Sequence, residues 1–289
     1  MVAMARTKPN PTTSRLIRWR AWVQAAFLFI WLDPLMLRLH SVCAPVFHCY
    51  SCPLAAFACP IGVLANFGAI HVIPFIAIGT VVFFGALVGS LVCGWACPFG
   101  FLQDLAAKAP TPKLTLPRWT GYGRYVVLAG LVVAIPFLFG EGHPLFICRV
   151  CPAGALEGAF PNAARVALAG RAVVWPSAWK IAITGLIVTA MFFTWRPWCR
   201  LLCPLGGIYG LFNRVSAFVL RFRPDRCTEC GACRKPCRYG VSPGEQANDP
   251  RCIRCLECTK CGAFSFGAIF AGRAARHHGP FEQREEGKP

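Results

Sequence analysis

Eight cysteines near the C-terminus fall into two runs with the spacing of iron–sulfur ligands. Cys227, Cys230, Cys233 and Cys237 read Cys-x2-Cys-x2-Cys-x3-Cys, and Cys252, Cys255, Cys258 and Cys261 read Cys-x2-Cys-x2-Cys-x2-Cys. Two residues between thiolates let neighbours wrap one cubane, so three close ligands hold three irons and the fourth iron is bound from the other run. That logic assigns Cys227, Cys230, Cys233 and Cys261 to one [4Fe–4S] cluster. The second cluster takes Cys252, Cys255, Cys258 and Cys237. Two four-cysteine zinc sites would use the same ligand chemistry, but two interleaved runs fit the ferredoxin arrangement better. Pro236 precedes Cys237 instead of following it, and Gly262 closes the second run. The fourth ligand of each cluster is therefore the one the pattern defines least.

The other ten of the 18 cysteines are also grouped. Four stand in Cys-Pro-x-Gly units at Cys59, Cys97, Cys151 and Cys203. Cys93 and Cys199 extend two of these units backwards to Cys-x3-Cys-Pro, while Cys148–Cys151 and Cys49–Cys52 are Cys-x2-Cys-Pro. The stretches after Cys97 and Cys203, Pro-Phe-Gly-Phe-Leu-Gln-Asp-Leu and Pro-Leu-Gly-Gly-Ile-Tyr-Gly-Leu, look like two copies of one element. An internal two-fold repeat of about a hundred residues follows. Cys93, Cys97, Cys199 and Cys203 can supply four thiolates to one site, and Cys148 and Cys151 can join two of Cys49, Cys52 and Cys59 in another. Two chemistries are open to them: one or two further iron–sulfur clusters, or redox-active dithiols that exchange with partner thiols.

These groups need elements to hold them. The chain is 56% hydrophobic and 15% charged, where a soluble domain averages about 45–50% and about 25%. Apolar runs that approach bilayer length cover Ala21–Leu39, Val72–Val92, Tyr125–Gly140 and Trp179–Trp195. The stretches 46–70 and 144–174 are apolar but broken by Pro, Gly and Cys, as in re-entrant segments buried in protein. Residues 1–20 carry five Lys/Arg, residues 39–107 carry none, and basic residues return at Lys108–Arg124 and after Arg196. This alternation predicts four spans with both termini cytoplasmic, against which Arg149, Arg165 and Arg171 in the second outer loop argue. It also explains the net charge of +18 without a nucleic-acid surface. Asp33 is a functional candidate as an acid inside an apolar run, while its neighbour Pro34 fits the plainer reading that the span ends there. His71 and His143, at outer span ends, read first as interface histidines, with acceptance of a quinol proton as the alternative. No dinucleotide fingerprint or phosphate loop is present.

The Cys-x3-Cys-Pro elements, followed by a two-run ferredoxin after the last span, resemble the NapH-type membrane polyferredoxins. That family includes quinol dehydrogenase subunits of periplasmic nitrate reduction, a relative associated with methylamine dehydrogenase, and parts of NosR and CcoG. The resemblance covers about Gly79 to Gly262. It implies four spans, two cytoplasmic [4Fe–4S] clusters and electron exchange with the quinone pool. Cys43, Cys49, Cys52, Cys59, Cys148 and Cys151 are not part of that pattern.

The expected fold is an all-α membrane bundle of about four transmembrane helices with a two-fold repeat, followed by a small α+β bacterial-type 2[4Fe–4S] ferredoxin domain. The boundaries are a basic cytoplasmic N-terminus over 1–20, the bundle over 21–222, the ferredoxin domain over 223–270 and a flexible tail over 271–289. The expected location is a bacterial inner membrane with the ferredoxin domain in the cytoplasm. The expected partners are lipid, quinol and a redox protein in a larger complex. The expected function is one-electron relay between the quinone pool or an outer partner and that complex, as a subunit of a quinol dehydrogenase. The alternative is a maturation factor that reduces a metal or thiol on a partner metalloenzyme.

Overall fold

The structure, a computed structural model, describes residues 11–32 and 59–269 apart from 115, 174, 229, 230, 232, 235 and 236. Cys43, Cys49, Cys52, Cys230 and Asp33 lie outside the described residues. The first apolar run belongs to a helix over Pro11–Leu32, which begins ten residues before the expected Ala21. Its early turns are held by protein contacts: Ile17 is buried, and Arg20 Nε donates to the Gly94 carbonyl at 2.9 Å.

The other three runs appear as helices over Phe75–Val88, Trp119–Phe139 and Ala178–Phe193. Among the described residues, Trp119–Phe139 is the one helix both long and apolar enough to cross a membrane. Pro60–Ala69, Phe75–Val88 and Ala178–Phe193 are apolar but shorter. Phe75–Val88 ends at Gly89, and the chain resumes as the short helix Leu91–Trp95. The broken stretches contain a helix over Pro60–Ala69 and a helix over residues 152–168, each opening at a Cys-Pro step. Leu128–Ala134 and Gly154–Ala159 are π-helical turns within longer helices, a distortion that often accompanies functional sites.

The internal repeat is visible in the element order. Phe75–Val88, Leu91–Trp95 and Pro98–Ala106 are matched by Ala178–Phe193, Pro197–Leu201 and Pro204–Phe212. In each set a long apolar helix leads to a short helix, and a Cys-Pro step opens the next helix.

The C-terminal unit rests on one antiparallel pair. Phe218–Phe222 lies against Phe264–Ala268, with Phe218 opposite Ala268, Leu220 opposite Phe266 and Phe222 opposite Phe264. Leu220, Leu256, Cys258, Ala263 and Phe264 form its core, to which Ile17 of the first helix also belongs, with Leu91 and Trp95 packed alongside. The unit is therefore joined to the helices through a shared apolar surface.

Two glycines set the closeness of that junction. A Cβ at Gly94 would lie 2.3 Å from the Ile253 carbonyl oxygen, and one at Gly210 would lie 2.1 Å from that of Pro250. Backbone meets backbone at both points, so no flexible side chain can yield. Arg254, 2% exposed, completes the seam: it donates to Val88 O at 2.9 Å, Asn213 O at 2.6 Å, Ser216 Oγ at 2.8 Å and Phe218 O at 2.6 Å. Gly94→Ala and Gly210→Ala are each expected to cost about 1–3 kcal/mol by overpacking. Hydrogen exchange over residues 249–254 should rise in both variants, and unchanged protection would show that the junction is looser than described.

Candidate metal centres

Four helices begin in the same way. Cys59, Cys97, Cys151 and Cys203 each precede a helix whose first residue is proline, and each Sγ accepts the backbone N–H three residues on. The acceptances are Gly62 N at 3.4 Å, Gly100 N at 3.3 Å, Gly154 N at 3.3 Å and Gly206 N at 3.4 Å. Proline fits the first helical position because its missing N–H would be unpaired there. The sulfur then sits at the positive end of the helix, where a thiolate is favoured.

Two of these sulfurs meet at one place. Cys93, Cys97, Cys199 and Cys203 all line a single cavity between the repeats, together with Arg124, Ser90 and Cys252. Gln103, fully buried, crosses from the first repeat to the second: its Nε2 donates to Cys199 Sγ at 3.0 Å and its Oε1 accepts from Trp198 N at 3.2 Å.

Asp104, next in sequence, is the charged partner of this crossing. Arg196 has a side chain 0% exposed and donates to Asp104 through Nε at 2.8 Å and Nη2 at 2.5 Å, and to the Cys93 carbonyl through Nη1 at 2.9 Å. Arg20 reaches the same carboxylate at 2.8 Å, and Tyr239 Oη stands 3.5 Å from it. Burial by itself raises the Asp104 carboxyl, and the Arg196 guanidinium, helped by Arg20 and Arg238, outweighs this and holds it below its ordinary value.

The residues present fit a cluster. Four thiolates and a cubane together are anionic; the buried Arg124 lines the cavity, and the buried Arg196 holds the Cys93 carbonyl behind it. Arg124 Nε is buried and has no hydrogen-bond partner among the described residues, which suits a donor aimed at sulfur. Among the described residues no three His, Cys, Asp or Glu side chains converge as a single metal ion would need. A cubane spreads its thiolates over separate corners and requires no such convergence. As free thiols these groups are poorly suited to exchange. Burial, followed by the nearby Cys199, pushes both Cys97 and Cys203 well up, whereas exchange-active thiols are accessible and have lowered pKa values.

In the C-terminal unit, Cys237, Cys252, Cys255 and Cys258 line a second cavity. These are the four residues that the interleaved pattern assigns to one cluster. Cys227, Cys233 and Cys261 pack on the neighbouring apolar core. The loop between the close ligands carries Arg254 and Leu256 with φ of 51° and 64°, a left-handed turn that L-residues adopt at a cost of order 1–3 kcal/mol. Elsewhere, Cys59 and Cys148 both flank Gly62, and Cys151 lies in the same apolar core as Cys148. His71 packs edge-on against Phe137, and His143 Nδ1 accepts from Leu145 N; neither lines the cysteine cavities.

Pattern reading did not single out Gln103, Asp104, Arg124 or Arg196 as site residues. For Asp104 a signal was available: it is the only acid between Asp33 and Glu141, and an isolated charge among apolar segments is a functional candidate.

Comparison with known proteins agrees with this geometry. A 4Fe-4S binding domain matches the chain twice, at residues 70–117 and 177–223. The first match contains Cys93 and Cys97, the second Cys199 and Cys203, and neither contains another cysteine. The uncharacterised protein MJ0749 of Methanocaldococcus jannaschii is 29% identical over 63% of this chain and 66% of its own length. YccM of Escherichia coli is 25% identical over 67% of this chain and 53% of its own. The methylamine utilization ferredoxin-type protein MauN of Methylorubrum extorquens is 32% identical over 54% and 50%. The chain thus spans between half and about two thirds of these relatives. No solved structure matches it. Two segments of the chain thus match an iron–sulfur binding domain, and relatives it is similar to, YccM and MauN among them, are members of the NapH/NosR-like family of polyferredoxin-type proteins.

The buried pair makes a stability prediction. Asp104→Asn leaves the buried Arg196 without its counter-charge and is expected to cost about 3–5 kcal/mol, read by denaturant unfolding in detergent. Because the folded carboxyl lies below its ordinary value, the pair's contribution is complete above that value and disappears as pH falls through the depressed one. The Asp104→Asn penalty should therefore shrink on acidification; a penalty independent of pH would contradict the assignment.

Proposed function

We propose that this protein is a membrane-embedded one-electron relay whose stations are a [4Fe–4S] cluster on Cys93, Cys97, Cys199 and Cys203 and two [4Fe–4S] clusters in the C-terminal unit. One observation supports the relay above the others. Cys252 and Ile253 line both the cavity between the repeats and the cavity of Cys237, Cys255 and Cys258. One residue's thiolate and peptide therefore separate two candidate clusters. The Cys252 carbonyl is held from the helical side by Ser90 Oγ at 2.5 Å and Asn213 Nδ2 at 2.8 Å, so the separation is fixed. The clusters supply reversible one-electron chemistry when bound. The protein's own residues set the distance between sites, exclude water and place Arg124 and Arg196 against the negative charge.

Quinol is the proposed donor or acceptor at the membrane end and a redox protein in a larger complex at the other, with the C-terminal unit in the cytoplasm of a bacterial inner membrane. A four-span arrangement is consistent with the helices. Residues 75–95, the Phe75–Val88 helix with its continuation, would rise about 30 Å if wholly helical, close to the thickness of the hydrocarbon core. Phe75, Ile76, Phe83, Val126, Leu138 and Leu186 are exposed on the helices, as lipid contact requires.

The test is rapid-mixing reduction of purified, lipid-reconstituted protein by a quinol, followed by optical and EPR detection of the clusters. The unaltered chain is expected to show ferredoxin-type signals within the mixing experiment. C93S/C199S should retain the C-terminal clusters after dithionite reduction and lose their reduction by quinol by at least tenfold. Equal quinol rates in both proteins would remove the site from the route.

A further inference from the structure

The second cysteine group repeats the helix-capping hydrogen bond of the first, with the same backbone geometry at Cys151 and a different one, φ −134° and ψ 83°, at Cys59. Cys97 and Cys203 sit at φ, ψ of −72°, 113° and −69°, 110°; Cys151 sits at −74°, 116°. All three accept a glycine N–H at 3.3–3.4 Å. Cys59 caps the Pro60–Ala69 helix with the same acceptance from Gly62. A side chain at Gly62 would start 3.6 Å from Cys59 Sγ and 3.7 Å from Cys148 Sγ. Two sulfurs thus converge from separate segments, with Cys148 three residues from the capping Cys151. Lys180 Nζ donates to the Cys148 carbonyl at 3.2 Å, which brings a cation to the group as Arg196 does to the other.

We infer that Cys59, Cys148 and Cys151 hold a further [4Fe–4S] cluster, each thiolate binding one iron as the three close ligands of a ferredoxin run do and the fourth iron taking a non-cysteine ligand such as water. These residues fall outside both stretches matched by the 4Fe-4S domain. The two groups share one apolar core: it contains Cys97 and Cys203 of the first and Cys151 of this one, with Cys93, Cys59 and Cys148 packed against it. The inference deepens the relay reading but uses none of its ligands.

The experiment measures iron, acid-labile sulfide and reduced-state EPR on the full chain purified without oxygen. C59S/C148S/C151S is expected to lose about four irons per chain relative to the unaltered protein while the C-terminal signals persist. Equal iron in the two proteins overturns the site. Should the triple variant fail to fold, the unaltered chain decides beside C93S/C199S. About sixteen irons falling to about twelve supports the further cluster, while about twelve falling to about eight assigns all bundle iron to the first group and overturns it. Loss in the triple variant with none in C93S/C199S sinks the relay ligands and leaves this site standing.

Discussion

The arrangement depends on one buried carboxylate. Asp104 binds Arg196 from the second repeat and Arg20 from the first helix, and Tyr239 of the C-terminal unit closes over it. Four parts of the chain meet at one group, and the two arginines are held there by charge that burial makes expensive to leave unpaired. Arg196 is the more constrained partner. Its backbone is left-handed at φ 47°, and its third donor is committed to the Cys93 carbonyl. Fixing Arg196 fixes Cys199 three residues later against Cys93, so the ion pair sets the geometry of the cysteine centre.

The two repeats diverge where their jobs differ. In the copy after Cys97, the positions that follow are Gln103 and Asp104; in the copy after Cys203 they are Tyr209 and Gly210. The first pair binds the sibling repeat through Cys199, Trp198 and Arg196. The second leaves room for the Pro250 carbonyl. A symmetric protein could do one or the other at both ends. Breaking the symmetry at two residues lets one face join the repeats and the other receive the C-terminal unit.

Around the cysteines themselves, charge is managed by donors. The capping cysteines take backbone N–H groups at helix N-termini, and the cations nearest the central cavity are buried arginines. Such surroundings stabilise anionic sulfur and, in a site closed to water, keep charge interactions strong. The same closure makes the free thiols reluctant to ionise, so the cysteines are better suited to cluster ligation than to exchange.

The sequence by itself suggested the ligand sets and determined the local elements, because both depend on short-range spacing. Cys-x2-Cys runs define cubane corners, and the apolar runs Val72–Val92, Tyr125–Gly140 and Trp179–Trp195 predict helices, which lie at Phe75–Val88, Trp119–Phe139 and Ala178–Phe193. The interleaving led to the expectation that Cys237 joins the distant Cys252 run, and in the structure Cys237, Cys252, Cys255 and Cys258 line one cavity. The extent of the first helix was not, since Pro11–Ala21 is held by contacts with Gly94 and Asp104 rather than by its own apolarity. Only the tertiary structure decided that Asp104 and Arg196, 92 residues apart, share a site. It also decided that Gly94 and Gly210 admit a backbone from another unit and that Cys252 walls two cavities at once. Those facts depend on approach between segments distant in the chain, and no spacing within a segment encodes an approach.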